Sequence, residues 1–286
     1  MQSQITKITT GSSETIRKTA FNFSDYRERL VSHKKSGKID PAFLEWLVGF
    51  SEGDGSFIVS KGRMFFIINQ KEEKVLHRIR TELGFGKVST YNTYSRFIVA
   101  DRDNIERLIH LFNGNLVLHK TNSRFELWLQ SWNLSSREQR RVIPLSQNQL
   151  PSFDNNGWLS GFTDADGCFN AVQTRDSRYS LGWRLRLRFI LDQKSEKDLL
   201  EKVKNLFGSG VISRRREVDD MWRFTCTSIL SHQVVTNYFT RYPLRTVKKV
   251  SFLSFVSLLR YITTRPVLLW EGKVLKRVEN LIKKIS

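Results

Sequence analysis

The 286-residue chain is poor in the residues that staple or span. It has two cysteines, Cys168 and Cys226, too few for a disulfide framework or a four-ligand zinc site. Its histidines (His33, His77, His110, His119 and His232) are scattered without ligand spacing. No apolar run approaches the roughly 18 residues of a membrane span, so a reducing compartment and a soluble domain are expected. Acidic residues are scarce as well: 28 Asp+Glu stand against 47 Lys+Arg, leaving +19. A surplus of that size repels itself and attracts polyanions, which makes nucleic acid the leading partner class. A ribosomal-type protein and a membrane-surface binder remain alternatives on charge alone.

What the chain does have is a repeat. Leu47-Val-Gly-Phe-Ser-Glu-Gly-Asp-Gly55 recurs 112 residues later as Leu159-Ser-Gly-Phe-Thr-Asp-Ala-Asp-Gly167. Each copy ends an apolar helical segment with an acid and a glycine. Asp40 and Pro41 suit the start of the first motif helix, as cap and first-turn proline. Beyond each motif the order repeats: two strands (Ser56–Ser60 and Arg63–Gln70; Cys168–Thr174 and Trp183–Leu191), then a helix stopped by Gly84 or Gly208. A second hairpin follows (Lys87–Tyr91 and Arg96–Ala100; Val211–Arg215 and Met221–Thr227), then helices. Gln70-Lys-x-x-Lys74 matches Gln193-Lys-x-x-Lys197 at an offset of 123, which places an 11-residue insertion near Arg175–Gly182.

The expected fold is α+β, two pseudo-symmetric α-β-β-α-β-β-α repeats. Residues 1–40 read as a partly disordered N-terminal arm, with Phe21–Ser32 a short helix or part of the arm. The first repeat covers 41–133, a polar linker 134–156, and the second repeat with a C-terminal helix 157–286.

Gly49 and Gly53, like Gly161 and Ala165, are four apart on one helical face, which lets two helix backbones approach closely. If the motif helices pack together, their ends bring Asp54 and Asp166 side by side. Paired carboxylates need a raised pKa or a cation between them. Oxygen ligands favour Mg²⁺, with Ca²⁺ or Mn²⁺ able to occupy the same place. Gly55 and Gly167 are expected to make sharp turns and free backbone carbonyls for that metal.

Arg184, Arg186 and Arg188 alternate with apolar residues, so strand geometry puts them on one face, suited to guanine edges in a major groove. Arg214, Arg215 and Arg223 extend that patch. The matching first-repeat strand presents Arg63, Phe65, Ile67 and Asn69, a more apolar set that suits thymine methyls or a buried face. The two halves of a duplex target would then be read differently.

The motifs and their sequels resemble the LAGLIDADG homing endonucleases in their single-chain, two-repeat form, over roughly residues 40–262. The resemblance implies saddle-shaped antiparallel sheets lying on DNA around a core of the two motif helices. It implies Asp54 and Asp166 as catalytic acids at the eighth motif position; the sixth, Glu52 and Asp164, is not the catalytic position. It also suggests catalytic helpers: Gln70 and Gln193 at the ends of second strands, Lys248 at the start of a last helix, and Lys120 less neatly, since the counterpart position holds Thr121. It further implies a monomer that cuts both strands of a long double-stranded DNA site in intron homing, encoded in a mitochondrial or other organellar intron. Alternatives on the same scaffold are a maturase binding intron RNA and a silent DNA-binding regulator.

Overall fold

The computed structural model describes residues 21–31, 39–135, 142–146, 152–179, 182–264 and 270–285. Expectations for residues 1–20 and for parts of the linker lie outside them.

The first motif helix, α2 (Pro41–Asp54), starts where the sequence places it: Asp40 accepts a hydrogen bond from the Ala42 N–H at 3.0 Å, and Pro41 fills the first turn. It runs into β1 (Gly55–Ser60) and β2 (Arg63–Gln70), then α3 (Glu73–Leu83), β3 (Lys87–Thr90), β4 (Ser95–Val99), α4 (Arg102–Phe112) and α5 (His119–Ser135). The second copy repeats this as α6 (Trp158–Asp166), β5 (Gly167–Arg175), β6 (Trp183–Lys194), α7 (Lys197–Phe207), β7 (Val211–Arg214), β8 (Met221–Cys226), α8 (Ile229–Arg241) and α9 (Lys248–Thr264). Each repeat closes with two helices, as expected after the second hairpin. Gly84 and Gly208 stop α3 and α7 in the left-handed region, at φ 76° and 78°, where glycine carries no Cβ penalty.

Each repeat forms one antiparallel four-stranded sheet, in the orders β1-β2-β4-β3 and β5-β6-β8-β7. One sheet face is apolar and covered by helices. Phe57 is ringed there by Phe66, Phe112, Phe125 and Trp128. Phe169 is ringed in the same way by Phe189, Phe239, Phe252 and Phe255. These matched aromatic clusters fix the last helices beneath the sheets and leave the opposite faces open.

Two end segments add to the core. Residues Phe21–Val31 carry α1 (Ser24–Val31), and Phe21, Phe23 and Tyr26 are buried. The Asn22 backbone is tied to the Asn115 side chain in both directions, at 2.9 and 2.8 Å. That stretch is the helix of the two options the sequence left open. At the other end α10 (Gly272–Lys283) lies on α9 through Val274, Val278, Leu281 and Ile282. Among the described residues no helix is long and apolar enough to cross a membrane.

Candidate active site and nucleic-acid face

The motif helices α2 and α6 cross in backbone contact. A Cβ built on Gly49 would overlap the Trp158 carbonyl oxygen, and one on Gly161 would overlap that of Trp46. One turn on, a Cβ on Gly53 would overlap Ala165 and stand 3.3 Å from the Asp166 carboxylate. The small residues thus set the separation, and that separation brings Asp54 and Asp166 together at the C-terminal ends of both helices.

Electrostatics agree with their closeness. Burial, and next the charge of Asp166, push Asp54 up to about 6, against Lys248 and Gln70, which favour its ionised form. Burial also raises Asp166, opposed by Gln193 and Lys248. Negative helix ends add to the cost of two carboxylates here. The glutamines stand where the sequence places them. Gln193 donates from Nε2 to Asp166 Oδ2 at 2.9 Å, and Gln70 makes the matching bond to Asp54.

Lys248 joins them, donating from Nζ to the carbonyls of Thr163 at 3.0 Å and Ala165 at 2.7 Å. Burial lowers its pKa, while Asp164, Asp166 and Asp54 pull it back up. Lys120 does not take the equivalent place. Phe125 packs on Phe57 as Phe252 packs on Phe169, so the residue four before Phe125, buried Thr121, is the counterpart of Lys248. Lys120 is exposed. Helix registry decides this, because one residue along a helix turns the side chain by about 100°.

The motif glycines also differ from expectation. Gly55 and Gly167 have φ of −84° and −81°, extended values open to any residue, and both begin strands. Space is what demands glycine: a Cβ would meet the Ser51 carbonyl at Gly55, and the Thr163 side chain at Gly167. Neither makes the sharp turn.

The sixth motif residues hold the site together from outside the chemistry, a role the sequence reading missed. Glu52 accepts from the Val117 and Leu118 N–H groups, at 2.8 and 2.7 Å, and from Trp158 Nε1 at 2.5 Å. Asp164 accepts from Arg245 N–H at 2.6 Å, Thr246 Oγ1 at 2.5 Å and Trp46 Nε1 at 2.8 Å. Each acid therefore ties the partner motif's tryptophan to the loop entering its own repeat's last helix. Burial raises Asp164 and pushes Glu52 up to about 8, against these donors. A signal was present: Trp46 and Trp158 precede the two motifs at the same 112-residue spacing. Asp164→Ala would strand these buried donors and release the residues just before Lys248, so we expect a loss of about 3 kcal/mol in chemical unfolding. An unchanged unfolding midpoint would refute this bracing role.

On the open faces, Arg63, Phe65, Ile67 and Asn69 alternate with buried Met64, Phe66 and Ile68. They are therefore not core residues, and Arg63 stacks over Phe65 at 5.4 Å. In the second sheet Arg184, Arg186 and Arg188 share the open face of β6. Arg186 is exposed, Arg188 donates to Asn170 at 2.8 and 2.9 Å, and Arg184 lies 3.7 Å from Asp176. The remaining arginines are pre-paired. Arg223 and Arg215 converge on Asp192, at 2.6 and 3.1 Å, and Arg214 meets Asp219 at 2.8 Å. The first sheet's counterpart of Arg223–Asp192 is Arg96, donating to Asn69 at 2.9 Å and stacked on Tyr91 and Tyr94.

Comparison with known proteins agrees with this architecture. The family model described as LAGLIDADG endonuclease matches residues 47–132 and 159–259. A Neurospora crassa protein named probable intron-encoded endonuclease 4 is 36% identical over 227 residues, covering 77% of this chain and 40% of its own length. The Saccharomyces cerevisiae intron-encoded RNA maturase bI4 is 27% identical over 175 residues, 55% of this chain and 26% of its own. This chain thus spans less than half of either relative. Among solved structures, the LAGLIDADG meganuclease I-AabMI bound to uncleaved DNA superposes with a TM-score of 0.70 at 23% identity, covering 87% of this chain and all of that one. I-SmaMI, solved on uncleaved DNA in the presence of calcium ions, gives 0.64 at 16% identity, covering 84% of this chain and 97% of that one. With a family model matching both motif regions, the chain belongs to the LAGLIDADG endonuclease family.

Proposed function

We propose that this chain is a divalent-metal-dependent, site-specific DNA endonuclease that acts as a monomer and cuts both strands of a long asymmetric duplex in intron homing. The observation that carries this is the meeting of Asp54 and Asp166 at the ends of two helices held in backbone contact. A binding protein gains nothing from two partly buried carboxylates whose burial, with the charge of Asp166 beside Asp54, raises their proton affinity.

The donor set fits a hard cation. The site offers carboxylate oxygens with a deficit of positive charge, and no cluster of three or more His, Cys, Asp or Glu side chains among the described residues forms a closed cage. Mg²⁺ suits such a site, because it binds through one or two carboxylates and takes further oxygens from substrate phosphates. Asp54 and Asp166 would hold it. When bound, it would polarise the phosphodiester and lower the pKa of an attacking water. Gln70 and Gln193 orient the carboxylates by occupying one oxygen of each. The Lys248 ammonium has used two of its three hydrogens on carbonyls, which leaves one for phosphate oxygen.

The open sheet faces would lie along the DNA. Arg186 is exposed and has no bond to another side chain among the described residues, so it is the arginine best placed for a guanine edge. Arg186→Ala should weaken binding to the preferred site by about 1–3 kcal/mol and relax preference at a single base pair in competition assays. An equal loss on all sequences would make it a phosphate contact instead. Arg214, Arg215 and Arg223 are oriented by their acidic partners, and each keeps guanidinium N–H donors that those bonds do not use.

The second reading, an RNA maturase, draws on the similarity to bI4. One experiment separates the two: incubation with Mg²⁺ and a randomised duplex library, followed by sequencing of cut ends. A unique double-strand cut site supports the endonuclease; no cut at any sequence refutes it. An intron origin accords with the intron-encoded names of both relatives, and an organellar one, mitochondrial above all, belongs to this same proposal.

A further inference from the structure

The open face of the first sheet carries an apolar patch that the core does not use. Ile58 and Phe65 stand directly opposite each other on β1 and β2, and Ile67 and Ile98 do so on β2 and β4. All of them are half-buried, and none joins the hydrophobic core on the other face. Cations border the patch. Arg63 stacks over Phe65 at 5.4 Å, Lys87 stands opposite Ile98, and Arg96 comes next on the same face of β4. The second repeat has different chemistry at the matched positions. Its Phe169–Phe189 pair is the counterpart of Phe57–Phe66, so Asn170 and Arg188 take the places of Ile58 and Phe65. They are bonded to each other at 2.8 and 2.9 Å, which orients the guanidinium and leaves it further N–H donors. Thr225 stands where the first sheet has Ile98.

We infer that Ile58, Phe65, Ile67 and Ile98 select thymines by their C5-methyl groups. One half of the target is then thymine-rich under this patch, while the other half is read at the matched place through hydrogen bonds. This rests on the endonuclease reading, which lays the sheet faces along DNA, and names the base chemistry that the first face recognises. In the major groove thymine alone presents a methyl group; the remaining base-edge groups are hydrogen-bond donors and acceptors. An apolar side chain set against that methyl takes apolar area of both out of water. Set against an adenine amino group or guanine N7, it would strip water from a polar atom and return no hydrogen bond. Thymine is therefore favoured by a gain and its rivals are disfavoured by a penalty. Arg63, Lys87 and Arg96 match the phosphates that flank the groove. Their charge also favours a duplex over a second copy of this +19 chain as the occupant.

The test uses the full chain and a randomised duplex library, captured by gel shift in Ca²⁺ so that binding is read apart from cleavage. Captured sequences should share neighbouring thymines in one half only. Deoxyuridine, which lacks only the methyl, is then placed at those thymines, and affinity should fall about fourfold for each contacted methyl. Deoxyuridine in the other half, opposite Asn170 and Arg188, should leave affinity unchanged. Phe65→Ser should remove the deoxyuridine penalty at its own base pair, which a general loss of structure would not do. Ile58→Asn combined with Phe65→Arg copies the pair of the second repeat, and should move the preference there from thymine toward guanine. Affinity indifferent to deoxyuridine throughout would overturn this inference, while double-strand cleavage of the captured site would leave the endonuclease reading intact. A dimer dissolved by Phe65→Ser in sedimentation, with the same indifference, would assign the patch to a second copy and overturn it too. Capture of no sequence would remove the inference together with the reading that lays DNA on these faces.

Discussion

Replacing Asp54 with asparagine is expected to abolish cleavage while making the metal-free protein more stable at neutral pH. The first effect follows from its place as one of two acids for the cation; a loss on the order of 10³-fold or more is expected. The second follows from its proton affinity. Burial and the Asp166 charge push Asp54 up to about 6, whereas an unfolded aspartate ionises at about 3.9. Between those values the folded chain holds a proton that the unfolded chain has released. The folded state therefore loses stability as pH rises from about 4 to about 6, and the penalty is complete above that, about 3 kcal/mol at most. The asparagine variant would carry no such penalty, and its amide oxygen would still accept from Gln70. Urea unfolding without divalent ions should show the variant stabilised at pH 7, with the gain fading toward pH 4. A variant that cuts at the usual rate, or gains no stability at pH 7, would show that Asp54 does not occupy a strained anionic site.

Gly161→Ala should be the most damaging single methyl group in the chain. The added carbon would overlap the Trp46 carbonyl and crowd the Phe50 N–H, both backbone atoms that no rotamer change can clear. The helices would have to part, straining the bonds of Trp46 to Asp164 and of Trp158 to Glu52 that cross between them. Overpacking of a tight core costs about 1–3 kcal/mol, and a clash between backbones belongs at or above the top of that range. For a chain of this size the melting temperature should fall by about 10 °C. Gly62→Ala is the control. Its Cβ would meet nothing within 4 Å, though φ is +72°, so only backbone strain of about 1 kcal/mol is expected. Equal melting temperatures for the two variants would mean the helix crossing does not depend on close backbone approach.

Much of this was legible in the sequence because the repeat doubles every local signal. Gly49 and Gly161 advertised the crossing, and Gln70 and Gln193 lie beside Asp54 and Asp166 as their matched positions implied. The partners that span the chain were not legible. Nothing local links Trp158 to Glu52, 106 residues apart, or Asp192 to Arg223. Those bonds depend on how the two repeats and adjacent strands are set against each other. Lys120 and the motif glycines show a different limit. Lys120 has the right charge one step out of registry, and Gly55 and Gly167 have the right residue type for reasons of space, with ordinary backbone angles. The pairing of Arg214, Arg215 and Arg223 with acids was hidden for the same reason: an alternation pattern gives a face but not its neighbours.

The most direct measurement is anomalous diffraction from crystals of the chain with its cut duplex and Mn²⁺ as a stand-in for Mg²⁺. The account predicts density between the carboxylates of Asp54 and Asp166, against the severed phosphates. Manganese found only elsewhere, with both acids turned from the DNA ends, would contradict it.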